Sequence, residues 1–593
     1  MQTTDVPTMN CGAIRAADEG RRVTLHGWIN RRRDHGGLIF LDIRDHNGIS
    51  QVVCAPSDTS FAEAEHLRHE DVVRIVGTVR MRPEGTTNAK LATGDVEIAV
   101  EELSVLNRSA VPPFAVNNDD AVDENLRLEY RYLDLRRPRM QFNLRTRHKI
   151  LKVIRDYFDE REFIEIETPM LIKSTPAGAR DYLVPSRLHP GTCYALPQSP
   201  QLLKQISMIG GFGRYMQIAR CMRDEDLRAD RQPEFTQVDV EMSFATQEDV
   251  METMESCMRT VWKRVLNREL PPFKRMTYAE ALQQYGSDKP DLRFGLELHD
   301  VTALFAQSDF VVFRSAIDAG GNVVALKYPG GAALSRRDFD SLTESAKRHG
   351  AKGLVWVALG PDGLKSSAAK FISPDLADSL AKSCEAVTGD AMLLFADTTA
   401  VARAVAGKMR VEIASRCNLR DAGSFAFCWV TGFPYLERDE VTGRAVPAHH
   451  PFSSPMPGDW ELIEKDPFAM RAQHYDMVLN GFELGSGSIR IHDPVQQRQI
   501  FAMLGMTDAE IDEQFGFFVR ALEFGAPPHG GMALGIDRMV MLACGEENLR
   551  EVIAFPKNQV GRDVMMDAPS PVSASLLRDL YLTSTAPSVE GGR

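Results

Sequence analysis

The sequence predicts an α+β protein of several domains. Three observations predict it: the length, a run of short glycine-punctuated strands near the N-terminus, and strictly alternating, polar-faced strands among amphipathic helices further on. At 593 residues, and about 100–200 residues per domain, about three to five domains follow, with room for a large core. A hydrophobic content of 44% and a charged content of 25% are those of a globular chain and exclude wholesale disorder. No apolar run reaches the roughly 18 residues of a membrane-spanning helix. The start, MQTTDVPTMNCGAIRAADEG, lacks the basic-then-apolar layout of a secretory signal. Nine cysteines stand singly, none in a CxxC pair, which argues against structural zinc and against a disulfide framework. The expectation is a soluble, cytoplasmic protein with no membrane contact. The balance of 69 Lys+Arg against 82 Asp+Glu, net −13, weighs weakly against a nucleic-acid partner, but bulk charge does not report the local surface.

Residues 21–55 read RRVTLHGWINRRRDHGGLIFLDIRDHNGISQVVCA. Short alternations at Val23-Leu25 and Leu38-Phe40-Asp42 are separated by the turn signals Gly36-Gly37 and Asn47-Gly48, and strand-like stretches follow at 72–79 and 96–100. About five short strands with Gly-rich turns suit a Greek-key barrel of the OB type. Arg31, Arg32 and Arg33 fall at the first turn, with Phe40 and Gln51 on strands just beyond. Basic residues beside an exposed aromatic form a stacking platform for unpaired bases, and a carboxamide can read a base edge. The alternative, with Phe40 in the barrel core and the arginines a solvated turn, stays open at this point. Residues 107–130, with Pro112-Pro113 and an acidic run without periodicity, read as a linker.

In LRTRHKILKVIRDYF (144–158) the apolar residues recur at helical spacing, and this helix leads into the strand FIEIETP ending at Pro169. ALPQSPQLLKQ (195–205) places Ser199, Gln201 and Lys204 around a turn that enters a helix. In the stretch 215–244 the second half alternates: Val238, Val240, Met242 and Phe244 on one face, Gln237, Asp239, Glu241 and Ser243 on the other. A strand face carrying two acids and an amide suggests the floor of a polar cavity. The charged loop 224–234 joins two antiparallel strands, and an exposed ribbon with a solvated tip is the plainer reading. In NGFELGSGSIRIH (480–492), Ser486, Ser488, Arg490 and His492 share one face. Glu483 has the opposite parity unless a bulge in Gly485-Ser486-Gly487 re-aims it. GAPPHGGMALGIDRMVMLACG (525–545) reads as a loop, a short strand and a helix opening near Gly535. Arg538 lies in the first turn, where a helix N-terminus and an arginine suit a polyphosphate, or where an ordinary surface arginine would also sit.

Together these stretches resemble the bacterial-type aspartyl-tRNA synthetases, class II aminoacyl-tRNA ligases with an N-terminal OB fold. The resemblance rests on GWINRRRDHGGLIFLDIRD, TPAGARDYLVPSR, ALPQSPQLLKQ, MRDEDLRADRQPEFTQ, AHHPFSSP, FELGSGSIRIH and GIDR, in that order along the chain. The three class II motifs are matched by the helix and strand ending at Pro169, by residues 223–225 with the following strand, and by residues 535–538. The stretch 298–423, with KYPGGAALSRRDFDSL and AKGLVWVALG, resembles the extra domain of the bacterial type, which asparaginyl and lysyl relatives lack. The resemblance implies an OB-fold barrel at 1–108, a linker at 109–136, a catalytic domain at 137–297 and 424–568, an inserted α+β domain at 298–423 and a tail at 569–593. The catalytic sheet it implies is antiparallel, six-stranded and flanked by helices.

The implied reaction joins L-aspartate to ATP, giving aspartyl-adenylate and pyrophosphate, and then transfers the aspartyl group to tRNA. By the family pattern, Arg223, Asp224, Glu225, Gln232, Phe235, Glu483, Gly535, Ile536, Asp537 and Arg538 serve ATP. Arg223 would contact the α-phosphate, and Phe235 and Arg538 would enclose the adenine; Arg223, Glu483 and Arg538 form the catalytic set. Asp476 and Glu483 resemble the carboxylates that hold Mg²⁺. Arg490 and Lys204 would bind the substrate's side-chain carboxylate, while Asp239, Gln201 and Gln237 would meet its ammonium and Ser199 and His449 would line the pocket. Where relatives have Glu in TPEGARDYLV, on a loop that closes over the amino acid, this chain has Ala177.

For the anticodon the resemblance implies stacking on Phe40 and reading by Gln51, with Arg33 nearby. Family enzymes restricted to tRNA(Asp) tend to carry Leu and Lys where this chain has His35 and Gly85, and relaxed enzymes carry His and Gly. The expectation is therefore a homodimeric enzyme that charges both tRNA(Asp) and tRNA(Asn). The alternatives are a strict aspartyl ligase and, more distantly, a catalytically weakened tRNA-binding paralogue.

Overall fold

Two glycines close the first hairpin. Gly36 and Gly37, at φ of 61° and 79°, form the two-residue loop between the strands Arg22–His35 and Leu38–Arg44, where both positions need positive φ. In the computed structural model, which describes residues 6–175, 179–227, 229–439 and 442–585, these strands begin a five-stranded closed barrel. Ile49–Cys54, Val96–Asn107 and Val72–Met81 follow around it, and the last pairs back with the first. Its core holds Val23, Leu25, Ile39, Leu41, Ile43, Ile75 and Ile98. The second strand therefore turns Ile39, Leu41 and Ile43 inward, while Phe40 is half-buried on the opposite face. Phe40 is not barrel core. The three arginines lie on the first strand rather than in the turn, just after a bulge between Ile29 and Arg31. The last strand runs seven residues beyond the expected end at Val100. The helix Glu124–Glu129 interrupts the expected linker, started by the Asp123 carboxylate, which accepts from the Leu126 N–H. All of this belongs to a unit spanning Met1–Phe142.

The second unit, Asn143–Arg593, contains an eight-stranded sheet. Its order is Lys274–Thr277, Phe427–Thr431, His474–Leu479, Phe482–Ile489, His529–Gly535, Glu234–Ser243, Arg214–Met222, Ile164–Glu165. The six central strands are antiparallel, and the two short edge strands pair parallel to their neighbours. The expected six-stranded sheet is thus its centre. One face is apolar: Val238, Val240, Tyr475, Met477, Met532 and Leu534 pack against helices Pro138–Asp159 and Gln247–Leu266 through Ile150, Ile154, Met254, Met258 and Trp262. The other face carries the polar residues.

Two expectations about this sheet change. Phe244 does not continue the apolar alternation: the strand ends at Ser243, and Phe244 sits at φ 57° with 79% of its surface exposed. The bulge falls at Leu484, just before the glycine stretch. The register steps from Met477↔Gly485 to Val478↔Glu483, which returns Glu483 to the face of Asp476. Between Leu298 and Arg416, a five-stranded antiparallel sheet packs helices on both faces around two further cores. No helix among the described residues is long and apolar enough to cross a membrane.

Candidate active site

The polar floor exists because small residues face large ones across it. Gln237, Asp239 and Glu241 pair with Gly535, Ala533 and Gly531 on the neighbouring strand. A Cβ on Gly531 would stand 2.1 Å from both the Glu241 carboxylate and the Val240 carbonyl, so only glycine leaves room for that carboxylate. Above this floor lies an inner recess of about 340 Å³, joined to an outer cleft of about 520 Å³. Arg223, Glu225, Gln237, His449, Ser486 and Ala533 line both.

The inner recess brings together Ser199, Gln201, Lys204, Gln237, Asp239, His449 and Arg490. Lys204 and Arg490 are buried, and the buried Glu241 joins them. Arg490 Nε donates to Glu241 Oε1 at 2.9 Å and Nη2 to Oε2 at 3.2 Å, while Lys204 Nζ is 3.1 Å from Glu241 Oε2 and also donates to Asp239 Oδ1. Burial pushes the Glu241 carboxyl up, but the two cations outweigh it and hold it at about 2. Asp239 keeps Oδ2 for a ligand, and its pKa is raised, mainly by burial. Arg490 Nη1 donates to Ser488 Oγ at 2.6 Å and lies 2.9 Å from His450 Nε2. Burial and the Arg490 charge keep His450 neutral. Of five guanidinium N–H groups, these contacts leave one on Nη2. The Cys221 thiol occupies the Gln237 carbonyl oxygen at 3.2 Å, leaving the amide NH₂ for a ligand. Gln201 Nε2 is buried without a partner, a cost that a bound acceptor would remove. His449 stacks on His474, centroids 3.5 Å apart, and burial lowers the two to about 2 and about 3.

The outer cleft is lined by Arg223, Glu225, Gln232, Phe235, Glu483, Gly535, Asp537 and Arg538. The Arg223 guanidinium lies 5.0 Å over the Phe235 ring. Gly535 caps the helix Ile536–Cys544. Arg538 donates to the Glu483 carbonyl and, at 3.3 Å, to Asp230, while its Nε is buried without a partner. Not every expected ATP residue faces the cleft with a free group. Asp537 is occupied by the Thr236 N–H at 2.8 Å and by Arg147, so it ties the helix to the strand. Gln232 exchanges two hydrogen bonds with the Lys557 main chain. The Ile536 side chain is buried in the apolar core. Asp224 pairs with Arg180 at 3.7 Å and does not line the cleft.

Asp476 and Glu483 form an acidic pair. The Asp476 charge and burial push the Glu483 carboxyl up to about 7, and burial holds Asp476 well above its ordinary value. His474 Nε2 lies 2.9 Å from Asp476 Oδ1. An unfolded Glu483 ionises near its ordinary value of 4.5. Between there and about 7 the unfolded state has lost a proton that the folded state keeps, so this group lowers stability as pH rises through that window. Glu483→Gln is expected to flatten the decline of the melting temperature between pH 4.5 and 7; an unchanged slope would refute the pairing.

In the barrel, a groove of about 620 Å³ is lined by Arg33, His35, Phe40, Gln51, Arg80, Arg82, Asn88 and Glu97 among others. Arg33 Nη2 donates to Gln51 Oε1 at 3.2 Å and to Asp42 at 2.8 Å, and its guanidinium lies 6.0 Å over Phe40. Gln51 Nε2 donates to Glu97 at 2.9 Å. Gly85, at φ 79°, lies in the loop between Pro83 and Thr86, which line the groove.

Residues 123–559 match the family described as "tRNA synthetases class II (D, K and N)", and residues 23–106 match "OB-fold nucleic acid binding domain". The chain belongs to the class II tRNA synthetases. An "Aspartate--tRNA(Asp/Asn) ligase" of Moorella thermoacetica is 52% identical over 578 residues, 97% of this chain and 96% of that one. An "Aspartate--tRNA ligase" of Geobacillus kaustophilus is 50% identical over 587 residues, 98% of this chain and 100% of that one. Among solved structures, asparaginyl-tRNA synthetase from Pyrococcus horikoshii complexed with asparaginyl-adenylate has a TM-score of 0.59 at 18% identity, covering 93% of this chain and 98% of that one, a likeness of fold. The protein is an aminoacyl-tRNA ligase.

Within this synthetase, sequence reasoning left Glu241, His450 and His474 out of the recess, and Arg80, Arg82 and Glu97 out of the barrel groove. The alternation around Val240 did place Glu241 on the polar face. Nothing in the sequence paired it with an arginine 249 positions away. Ala177 lies outside the described residues.

Proposed function

We propose that this synthetase activates L-aspartate with ATP and transfers it to tRNA(Asp) and tRNA(Asn). The observation that carries this reading is the shared burial of Lys204 and Arg490 in one recess, braced by Glu241. Aspartate and asparagine are nearly isosteric, so shape cannot separate them; a carboxylate meeting the remaining Arg490 N–H beside the positive charge of Lys204 can. Asp239 Oδ2, the Gln237 amide and the Gln201 amide carry the polar groups for the amino-acid end of the substrate.

The α-carboxylate oxygen attacks the α-phosphorus of ATP, and the bond to pyrophosphate breaks. The terminal 3′-hydroxyl of the tRNA then attacks the activated carbonyl, and AMP leaves. No protein nucleophile is needed, so the chain contributes positioning and stabilisation of negative charge. Arg223 and Arg538 supply the positive charge, and Phe235 supplies a ring face for adenine. The donors at Asp476 and Glu483 are all oxygen, and among the described residues no group of three or more His, Cys, Asp or Glu is set to hold a metal ion. Two carboxylates fit a Mg²⁺ ion bound largely through substrate phosphates; they would hold it, and its charge would offset that of the phosphates.

The same reading includes a homodimer in the cytoplasm. Ile164, Met170, Leu171 and Phe212 leave apolar surface exposed around the edge strand Ile164–Glu165, and sedimentation at the 66.1 kDa monomer mass would contradict the dimer. His35 at the groove and Gly85 beside it favour charging of both tRNAs. Purified transcripts of tRNA(Asp) and tRNA(Asn) test the function: both are expected to accept aspartate. Charging of the first alone would leave a strict aspartyl ligase, and charging of neither would overturn the reading.

A further inference from the structure

One histidine outside the recess touches the elements that carry both of its cations. His529 opens the strand His529–Gly535, directly after Pro527 and Pro528, and is buried. It pairs with Ser243, two residues beyond Glu241 on the floor strand. Its carbonyl accepts the Arg490 N–H at 2.9 Å. Its ring Nδ1–H donates to the Pro527 carbonyl at 2.7 Å, which fixes the ring's orientation, and Nε2 lies 3.1 Å from Gln205 Oε1. A carboxamide suits either state of that nitrogen: its oxygen accepts from a protonated one, and its NH₂ donates to a bare one.

Gln205 is buried and follows Lys204 on the helix Gln201–Ile209. Residues four apart share a helix face, and Gln205 Nε2 donates back to the Gln201 carbonyl at 3.4 Å. Further along the helix, Met208 Sδ accepts the Ser243 hydroxyl at 3.2 Å. The end of the floor therefore docks this helix at two points, His529 to Gln205 and Ser243 to Met208. Gln201 depends on that docking most, because its Nε2 is buried without a partner among the described residues and only the helix places it. Lys204 is held by Asp239 and Glu241 as well. Successive residues stand about 100° apart around a helix, so fixing Gln205 also fixes the direction in which Lys204 leaves it.

We propose that His529 is a positioning residue for recognition of the dicarboxylic amino acid: through Gln205 it sets the rotation of the helix that presents Gln201 and Lys204, while its carbonyl holds Arg490, so that one residue sets the spacing of the two cations. The proposal rests on the reading that the recess takes aspartate. Gln201 and Lys204 line the inner recess, and no residue of their helix lines the outer cleft, so the two substrates should respond differently.

The test compares Gln205→Met, His529→Asn, their double variant and His529→Gln, with the KM values for aspartate and ATP measured in ATP–pyrophosphate exchange. Gln205→Met keeps the volume and removes the hydrogen bond; His529→Asn keeps a donor near the Pro527 carbonyl and no longer reaches Gln205. Each is expected to raise the aspartate KM about three- to ten-fold, the scale of one lost buried hydrogen bond, with kcat and the ATP KM within about two-fold. The double variant is expected to be no worse than the worse single, because both act through one contact. His529→Gln, whose carboxamide reaches Gln205, is expected to recover most of the loss seen in His529→Asn. An unchanged aspartate KM in a folded Gln205→Met, parallel rises in both KM values, additive losses, or no recovery in His529→Gln would each overturn the proposal. If His529→Asn does not fold, Gln205→Met decides alone; loss of folding in both would make the pair structural and overturn the proposal too. Failure of the aspartate reading would look different: the unsubstituted protein would show no aspartate-dependent exchange at all.

Discussion

Arg490→Leu is expected to abolish aspartate-dependent ATP–pyrophosphate exchange while leaving Mg·ATP binding intact. Arg490 lines the inner recess and not the outer cleft, so the substitution removes the guanidinium that meets the substrate carboxylate without touching the nucleotide side. Removing one partner of a buried charge pair costs about 3–5 kcal/mol, or roughly 10²–10⁴-fold where the substrate shares the pair. The same change leaves Glu241 buried against Lys204 alone, so stability falls as well. Arg490→Leu/Glu241→Leu separates the two effects, because removing both charges relieves the stranded carboxylate and cannot restore recognition. Recovered stability with no exchange is the expected outcome. Near-normal exchange in Arg490→Leu would sink the assignment of the recess.

Local pattern made some of this architecture legible and long-range pairing concealed the rest. The Gly36-Gly37 hairpin, the alternation from Gln237 to Ser243 and the helix opening at Gly535 are all set by residues within a few positions of one another, and they stand where the sequence puts them. Phe244 misled because the period of two continues one residue beyond the strand: its N–H donates to Pro528 at 2.6 Å, and the chain has already turned. The Leu484 bulge leaves no local mark, since its register is fixed by the His474–Leu479 strand. The two-residue edge strand Ile164–Glu165 exists only through its parallel partner. In the site, the sequence identified which residues are polar. It could not show that Asp537 and Gln232 spend their hydrogen bonds on Thr236 and Lys557, because those partners lie hundreds of positions away.

Glu241→Gln carries the second large expected effect. Glu241 touches no substrate in the proposed reaction; it orients the two cations that do. The amide is nearly the same size, so no cavity forms, but it offers one acceptor oxygen where Arg490 presents N–H groups to two. Its NH₂ would face a donor, leaving the guanidinium fork half unpaired and Lys204 braced by Asp239 alone. The expected loss in kcat/KM for aspartate is about 10²-fold, from buried charge-assisted contacts of about 1.5–3 kcal/mol each, with the ATP KM unchanged. Stability should move with pH in a defined direction. The carboxyl is held at about 2 against an ordinary 4.5, so its contribution is fully present above 4.5 and is lost as pH falls through 2. The unsubstituted protein is therefore expected to lose more stability than Glu241→Gln between pH 4.5 and 2, measured by urea unfolding. Parallel acid profiles, or an aspartate KM that does not move, would mean that Glu241 does not hold the cation pair in place.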